Sequence, residues 1–225
     1  MIAFEAASFD YGQGPILSEL SLTLEPGGFY FLTGPSGSGK TTFLRLCYLD
    51  LQPVAGRQTM FGDDVTRLDR DGAARMRRRI GVVPQLCGFL DHLSVRDNIA
   101  LPLDVTGRRT AQRLANVDDL LTWVGLTERA HARPQELSGG EMQRAALARA
   151  VILSPEMVIA DEPTGNVDRE MSGHLMALLV ELNRMGRSIL VATHDLELIR
   201  AAKAEVPARV LRLAQGRIVQ AGADL

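Results

Sequence analysis

Apolar residues fall in short blocks along the chain, and the blocks are of different kinds. Phe29–Thr33, Ile80–Val83, Val158–Ala160 and Ile189–Ala192 are apolar at nearly every position. Such a run predicts a strand covered on both faces, as in a parallel sheet. Between the last two runs, Met171, Leu175, Leu178 and Leu182 recur at helical spacing, which predicts a helix with one buried stripe. Strand, helix, strand is a βαβ crossover, so the core is predicted to be an α/β sheet. After the first run comes a glycine-rich turn and then a helix from about Lys40 to Leu49.

The flanks have other patterns. The first 30 residues, punctuated by Gly12, Gly14 and Pro26-Gly27-Gly28, predict short antiparallel strands and turns. From about 94 to 137, Leu101, Leu114, Leu120, Leu121 and Trp123 keep helical spacing with no strong strand among them. This stretch reads as a helical insertion, with Trp123 in its core, splitting a catalytic core of 1–93 and 138–225. The segments Arg209–Leu213 and Arg217–Val219, joined by Ala214-Gln215-Gly216, read as a terminal hairpin. The whole of 1–225 is expected to be a single domain.

Composition narrows the class. The 225 residues are 46% hydrophobic and 23% charged, with a net charge of −2, the balance of an ordinary folded globule. There is no general basic field to attract nucleic acid. No apolar stretch approaches the ~18–20 residues that cross a bilayer, and Met1–Glu5 does not resemble a signal peptide. A cytoplasmic place is expected, with contact to a membrane surface left open. Cys47 and Cys87 are too isolated for a disulfide framework or a zinc site. Arg75-Met76-Arg77-Arg78-Arg79 reads as a solvated helix end. Of 25 basic residues only Lys40 and Lys203 are lysines, so position 40 is expected to need a compact ammonium rather than a planar guanidinium.

That lysine lies in Gly34-Pro35-Ser36-Gly37-Ser38-Gly39-Lys40-Thr41, followed by Thr42. The pattern G-x-x-x-x-G-K-[ST], after a strand and opening a helix, is a phosphate-binding loop. Backbone N–H groups and the positive end of the helix dipole face the phosphates, Lys40 reaches the β/γ-phosphates, and the Thr41 hydroxyl takes a Mg²⁺ position. Met157–Ala160 leads into Asp161 and Glu162, two carboxylates at the edge of the sheet where ligands sit. Asp161 is expected to hold Mg²⁺ and Glu162 to orient or deprotonate the attacking water. Leu137-Ser138-Gly139-Gly140-Glu141 opens another long helix and is read as a second anion site. Two such sites about 100 residues apart suggest one phosphate held between two copies of the chain.

Taken together, and in this order, these motifs resemble the ABC-type ATPases over essentially the whole chain. The match adds Gln85 after a strand, Gly165-Asn166-Val167-Asp168, and Thr193-His194-Asp195. The resemblance implies a P-loop α/β fold with a mixed sheet, an N-terminal antiparallel β subdomain and a helical insertion. It implies Tyr11 stacking on the adenine of ATP, Gln85 touching Mg²⁺ and sensing a membrane partner, and His194 contacting the γ-phosphate. It further implies a homodimer in which Ser138 and Gly140 meet the γ-phosphate bound to the other copy.

Glu162-Pro163-Thr164-Gly165-Asn166 and Asp91–Leu103 are similar to the FtsE cell-division branch of the family. That likeness implies a peripheral subunit on the cytoplasmic face of the bacterial inner membrane, joined to an FtsX-like integral membrane partner. The expected docking groove lies between the helical insertion and the sheet core, around Gln85 to Val95, with Leu86, Phe89, Leu90 and Leu93 gripping a partner helix. Lipoprotein-releasing and macrolide-export ATPases share the Thr-Gly-Asn phrase and stand as alternatives, as does a nucleotide-gated assembly module with little turnover. Pro84 before Gln85, Leu86-Cys87-Gly88 after it, and Val167 depart from the usual pattern in the coupling and dimer segments.

Overall fold

A computed structural model of the chain describes residues 1–108, 110–165 and 168–220. Two sheets flank one helix. Strands β1 (Ile2–Asp10), β2 (Pro15–Leu24), β4 (Ala55–Met60) and β5 (Asp63–Asp64) form an antiparallel sheet in the order β2-β1-β4-β5. The other sheet comprises β3 (Phe29–Thr33), β6 (Ile80–Val83), β7 (Met157–Asp161), β8 (Ser188–Ala192), β9 (Ala208–Ala214) and β10 (Arg217–Gln220). Its order is β10-β9-β3-β8-β7-β6, parallel except for the antiparallel β9–β10 hairpin at one edge.

Alternation along the buried strands sorts their side chains into two cores. Phe29, Phe31, Val158, Ala160, Ile189 and Val191 face the helical side. Tyr30, Leu32, Met157, Ile159, Leu190 and Ala192 face α1 (Lys40–Cys47) and the antiparallel sheet. Phe43 of α1 meets Phe4 of β1 with ring centroids 5.4 Å apart. Both faces of the strands are therefore dry, which is why they read as unbroken apolar runs.

The helical side includes α3 (Val95–Val105), α4 (Ala111–Trp123), α5 (Gly139–Val151) and α6 (Arg169–Arg184), and Leu198, Ile199 and Ala202 of the last helix join the same core. Helices α2 (Arg70–Arg77) and α7 (Leu196–Glu205) complete the chain. No helix among the described residues is long and apolar enough to cross a membrane.

The structure corrects several expectations. The N-terminal strands span nine and ten residues rather than being short, and β-bulges mark their pairing. Helix α1 stops at Cys47, because Leu49 adopts left-handed backbone (φ 60) and its N–H turns back to the Leu46 carbonyl. The basic run is not simply a solvated end: Arg77 donates to the Leu49 carbonyl at 2.7 Å, and Arg79 pairs with Glu156 while covering the Phe61 ring. Trp123 is half-buried and its indole N–H reaches Glu181 of α6 at 2.8 Å, tying the insertion to the core. Strands β4 and β5 had no apolar signature; Gln58 of β4 is fully buried, its amide donating to the Leu46 carbonyl. Cys47 is buried and Cys87 partly so, both as free thiols.

Candidate functional site

The turn after β3 is shaped by glycines that no other residue replaces. Gly34 has φ 152, and a Cβ there would lie 2.4 Å from the Leu213 carbonyl oxygen. Gly39 caps α1 with φ 98, no side chain accepts from the helix's first turn, and that turn contains no acidic residue. The positive end of α1 is thus left open toward a cavity of about 740 Å³. Pro35, Ser36, Gly37, Thr41 and Thr42 line one wall with Gly34, Gly39 and Lys40. Lys40 folds back over this turn, its Nζ 2.9 Å from the Gly34 carbonyl and 3.2 Å from that of Pro35. Ser38 sits beneath the turn, its buried Oγ without a partner among the described residues.

Gln85, Asp161, Glu162 and His194 come to the same cavity from the ends of β6, β7 and β8. The Thr41 hydroxyl donates to Asp161 Oδ2 at 2.8 Å. Burial pushes the Asp161 carboxyl above the ordinary aspartate value, against the opposing pull of the Thr41 hydrogen bond and the Lys40 charge. Glu162 is held in left-handed backbone (φ 44), with its N–H bound to the Ala192 carbonyl at 2.9 Å. For a residue with a Cβ this conformation costs about 1–3 kcal/mol, and the surrounding sheet must impose it. The Glu162 side chain is 14% exposed and lies 3.0 Å from Nδ1 of His194, which is 77% exposed.

The donor set suits Mg²⁺. Thr41 and Asp161 bring two hard oxygens together, with the Gln85 side chain on the same wall. No cluster of three His, Cys, Asp or Glu side chains capable of holding a metal occurs among the described residues. Mg²⁺ fits this sparse arrangement, because it retains waters and completes its shell with substrate phosphates.

Two groups of expected residues lie off this cavity. Tyr11 is 53% exposed and does not line it; its ring edge rests on Phe9, and its hydroxyl accepts from Arg45 at 3.2 Å. It adjoins the site through Thr42, 3.5 Å from the same hydroxyl. Ser138, Gly139, Gly140 and Glu141, at the start of α5, are also absent from the cavity wall. There Ser138 Oγ accepts from the Glu141 N–H, while the Glu141 carboxylate accepts from the Ser138 N–H at 2.8 Å. These bonds, with Arg129 at 3.0 Å, hold the Glu141 carboxyl below its ordinary range. The second helix start is therefore already partly filled by its own carboxylate. In the 165–168 loop, Asn166 and Val167 lie outside the described residues.

The expected partner groove is also differently lined. Leu86 and Leu90 are exposed, but Phe89 is partly buried beneath the Arg149 guanidinium, 4.2 Å from its ring centroid. Leu93 is half-buried, with its carbonyl bound by Asn98. A groove of about 470 Å³ lies between the insertion and the core, where Leu101, Pro102 and Val105 of α3 face Ile80, Val82 and Leu153, and a smaller one of about 250 Å³ adjoins Gln85 and Leu86. Gly165, already part of the quoted motifs, also lines the cavity, and one lining residue left unread in the sequence is Ile16. Ile16, at the start of β2, would stand 3.1 Å from a Cβ on Gly39; its signal was an apolar residue just after the Gly12–Pro15 turn.

Comparison with known proteins agrees with this geometry. The family model "ABC transporter" matches residues 17–165. The chain is 40% identical to the cell division ATP-binding protein FtsE of Mycobacterium tuberculosis over 92% of its length and 88% of the relative's. It is 37% identical to the macrolide export ATP-binding/permease protein MacB of Marinobacter nauticus over its whole length, which is 35% of that protein. Similarity to the methionine import ATP-binding protein MetN of Mesorhizobium japonicum is 39% over 94% of this chain and 57% of the relative. Among solved structures, the dimeric ATP-binding cassette MJ0796, bound to ADP and Pi, superposes with a TM-score of 0.88 at 29% identity over 98% of both chains. With a phosphate-loop cavity edged by Asp161 and Glu162 and relatives of this identity and coverage, the chain belongs to the ABC transporter family, as one of its ATP-binding cassettes.

Proposed function

We propose that this chain binds Mg-ATP in the 740 Å³ cavity and hydrolyses it, as the nucleotide-driven subunit of a membrane complex. The observation that carries this reading is the convergence of Lys40, Thr41, Asp161, Glu162 and His194 on one cavity at the open end of α1. The α1 N-terminus and Lys40 bind the β/γ-phosphates; for this Lys40 must leave the carbonyls of Gly34 and Pro35. Thr41, Asp161 and Gln85 would hold Mg²⁺, which neutralises phosphate charge. Glu162 orients the attacking water and accepts its proton, and His194 fixes that carboxylate and reaches toward the γ-phosphate. Tyr11 supplies an aromatic face for adenine.

The second part of the reading is a two-fold dimer, with Ser138–Glu141 of one copy meeting the phosphates held by the other. The absence of these residues from the cavity wall of their own chain supports it, since two-fold symmetry supplies both sites at once. As partner we propose an FtsX-like integral subunit, which places the chain on the cytoplasmic face of a bacterial inner membrane. The similarity to FtsE along most of both chains supports this. An export role is the competing reading, favoured by the match of the macrolide export protein across all of this chain. The apolar groove beside α3 is the proposed seat for the partner's helix.

Glu162→Gln tests the chemistry. It should retain ATP binding and lower turnover on the order of 10²-fold; wild-type turnover would exclude the assigned role. Affinity purification of the tagged chain from bacterial membranes tests the partner. Recovery of an FtsX-type protein supports the division reading, and recovery of an export permease overturns it.

A further inference from the structure

Helix α5 joins the Ser138–Glu141 turn to the loop that follows β6. Its first turn contains Glu141, and its second carries Gln143, whose Nε2 donates to the Gln85 carbonyl at 3.2 Å. Farther along, Arg149 donates to the Gly88 carbonyl at 2.8 Å and lies over Phe89. Asn98 of α3 grips the next residue, accepting from the Leu90 N–H at 2.8 Å and donating to its carbonyl at 3.1 Å. The loop from Gln85 to Leu90 leaves the sheet at β6 but is suspended from α5 and α3. Even β6 bears on α5 directly: a Cβ on Gly81 would lie 2.4 Å from the Ala150 carbonyl oxygen.

Gln143 is unusual within this arrangement. It is 4% exposed, and its Oε1 is buried without a hydrogen-bond donor among the described residues. An orphaned buried acceptor costs stability, whereas an apolar residue of similar size would not. The described bond of its side chain is the one to the backbone of Gln85. Its cost and its contact together favour a role in function over one in packing.

We propose that Gln143 is the positioning residue for Gln85, holding its backbone so that its side chain faces the nucleotide cavity. Through it, the Ser138–Glu141 end of α5 is coupled to Gln85 of the same chain. From Ser138 to Gln143 is only about 7–8 Å along a helix, so a displacement of one end is carried to the other. The coupling is reciprocal: whatever moves Gln85 also moves the α5 start that faces the second copy. This inference rests on the reading of Gln85 given above.

Gln143→Leu preserves volume while removing both the donor and the orphaned acceptor, and Gln143→Glu preserves shape but opposes a carboxylate to the Gln85 carbonyl. For both, Mg-ATPase turnover should fall about five- to tenfold, the scale of one neutral hydrogen bond, with KM for ATP changed less than twofold. The leucine variant should match or exceed the wild-type Tm. Its backbone amides at 86–90 should exchange hydrogen faster than wild type in nucleotide-free protein. Added to Gln85→Ala, Gln143→Leu should slow turnover no further, because it acts only through that side chain. Wild-type turnover in Gln143→Leu, unchanged exchange at 86–90, or a further loss in the double variant would overturn the proposal. Wild-type turnover in Gln85→Ala alone would instead remove the reading beneath it, a failure recognised without any change at position 143.

Discussion

Helices α1 and α5 both begin at glycine-rich turns, yet their first turns are chemically opposite. Gly39 caps α1 with no side chain, and no carboxylate lies in the turn that follows. Ser138 caps α5 through its hydroxyl, and Glu141 completes a reciprocal capping box reinforced by Arg129. The first arrangement leaves α1 poorly satisfied until an anion arrives. The second satisfies the Ser138 and Glu141 N–H groups at the start of α5 before any ligand comes. In the proposed reading, the first helix end receives phosphate bound to its own chain, and the second, stable alone, meets the phosphate bound to the other copy.

Substitutions can break this contrast. The largest effect is expected at α1: Lys40→Ala should weaken ATP binding to a single chain by at least an order of magnitude, measured by calorimetry. Lys40→Arg should also be impaired, because a planar fork does not match the compact ammonium. Full recovery with arginine would show that the turn tolerates either cation. At α5, Ser138→Ala should leave single-chain ATP affinity within about twofold while abolishing ATP-driven dimer formation in size-exclusion chromatography. Loss of the cap should lower stability by about 1 kcal/mol, or ~2–4 °C in Tm. A large loss of single-chain affinity would place Ser138 in the same-chain site and end the contrast.

The smallest expected effect is a dependence on pH. Hydrogen bonds from Ser138, with Arg129, hold the Glu141 carboxyl below its ordinary range. Its contribution is therefore complete above the ordinary glutamate value of about 4.3 and is lost as pH falls through the lower folded value. The difference in urea midpoint between wild type and Glu141→Ala should be constant near neutrality and narrow below about pH 4. A difference that widened on acidification would mean that the charged carboxylate opposes the cap.

What was legible in the sequence follows the physics of each element. Phe29–Thr33 and Ile189–Ala192 could be read as strands because both faces are dry. The phosphate loop could be read because its backbone needs glycine at particular positions, as at Gly34 against the Leu213 carbonyl. Strand β4 could not be read, since its fully buried Gln58 is held by an amide donation to a carbonyl 12 residues earlier rather than by any apolar pattern. Nor could the surroundings of Phe89: it has the composition of a docking residue, but the Arg149 guanidinium covers it from α5.

The sequence by itself determined the α/β core, the phosphate loop and the pair Asp161-Glu162, because local periodicity and backbone freedom are written in residue type and spacing. Tertiary structure alone decided that Thr41 meets Asp161 across 120 positions, that His194 reaches Glu162, and that Gln143 holds the Gln85 carbonyl. It also decided that the start of α5 would be filled by its own Glu141 and kept off the cavity of its own chain. Such contacts depend on strand order and helix placement, and hydrogen bonds between residues far apart leave no periodic trace along the chain.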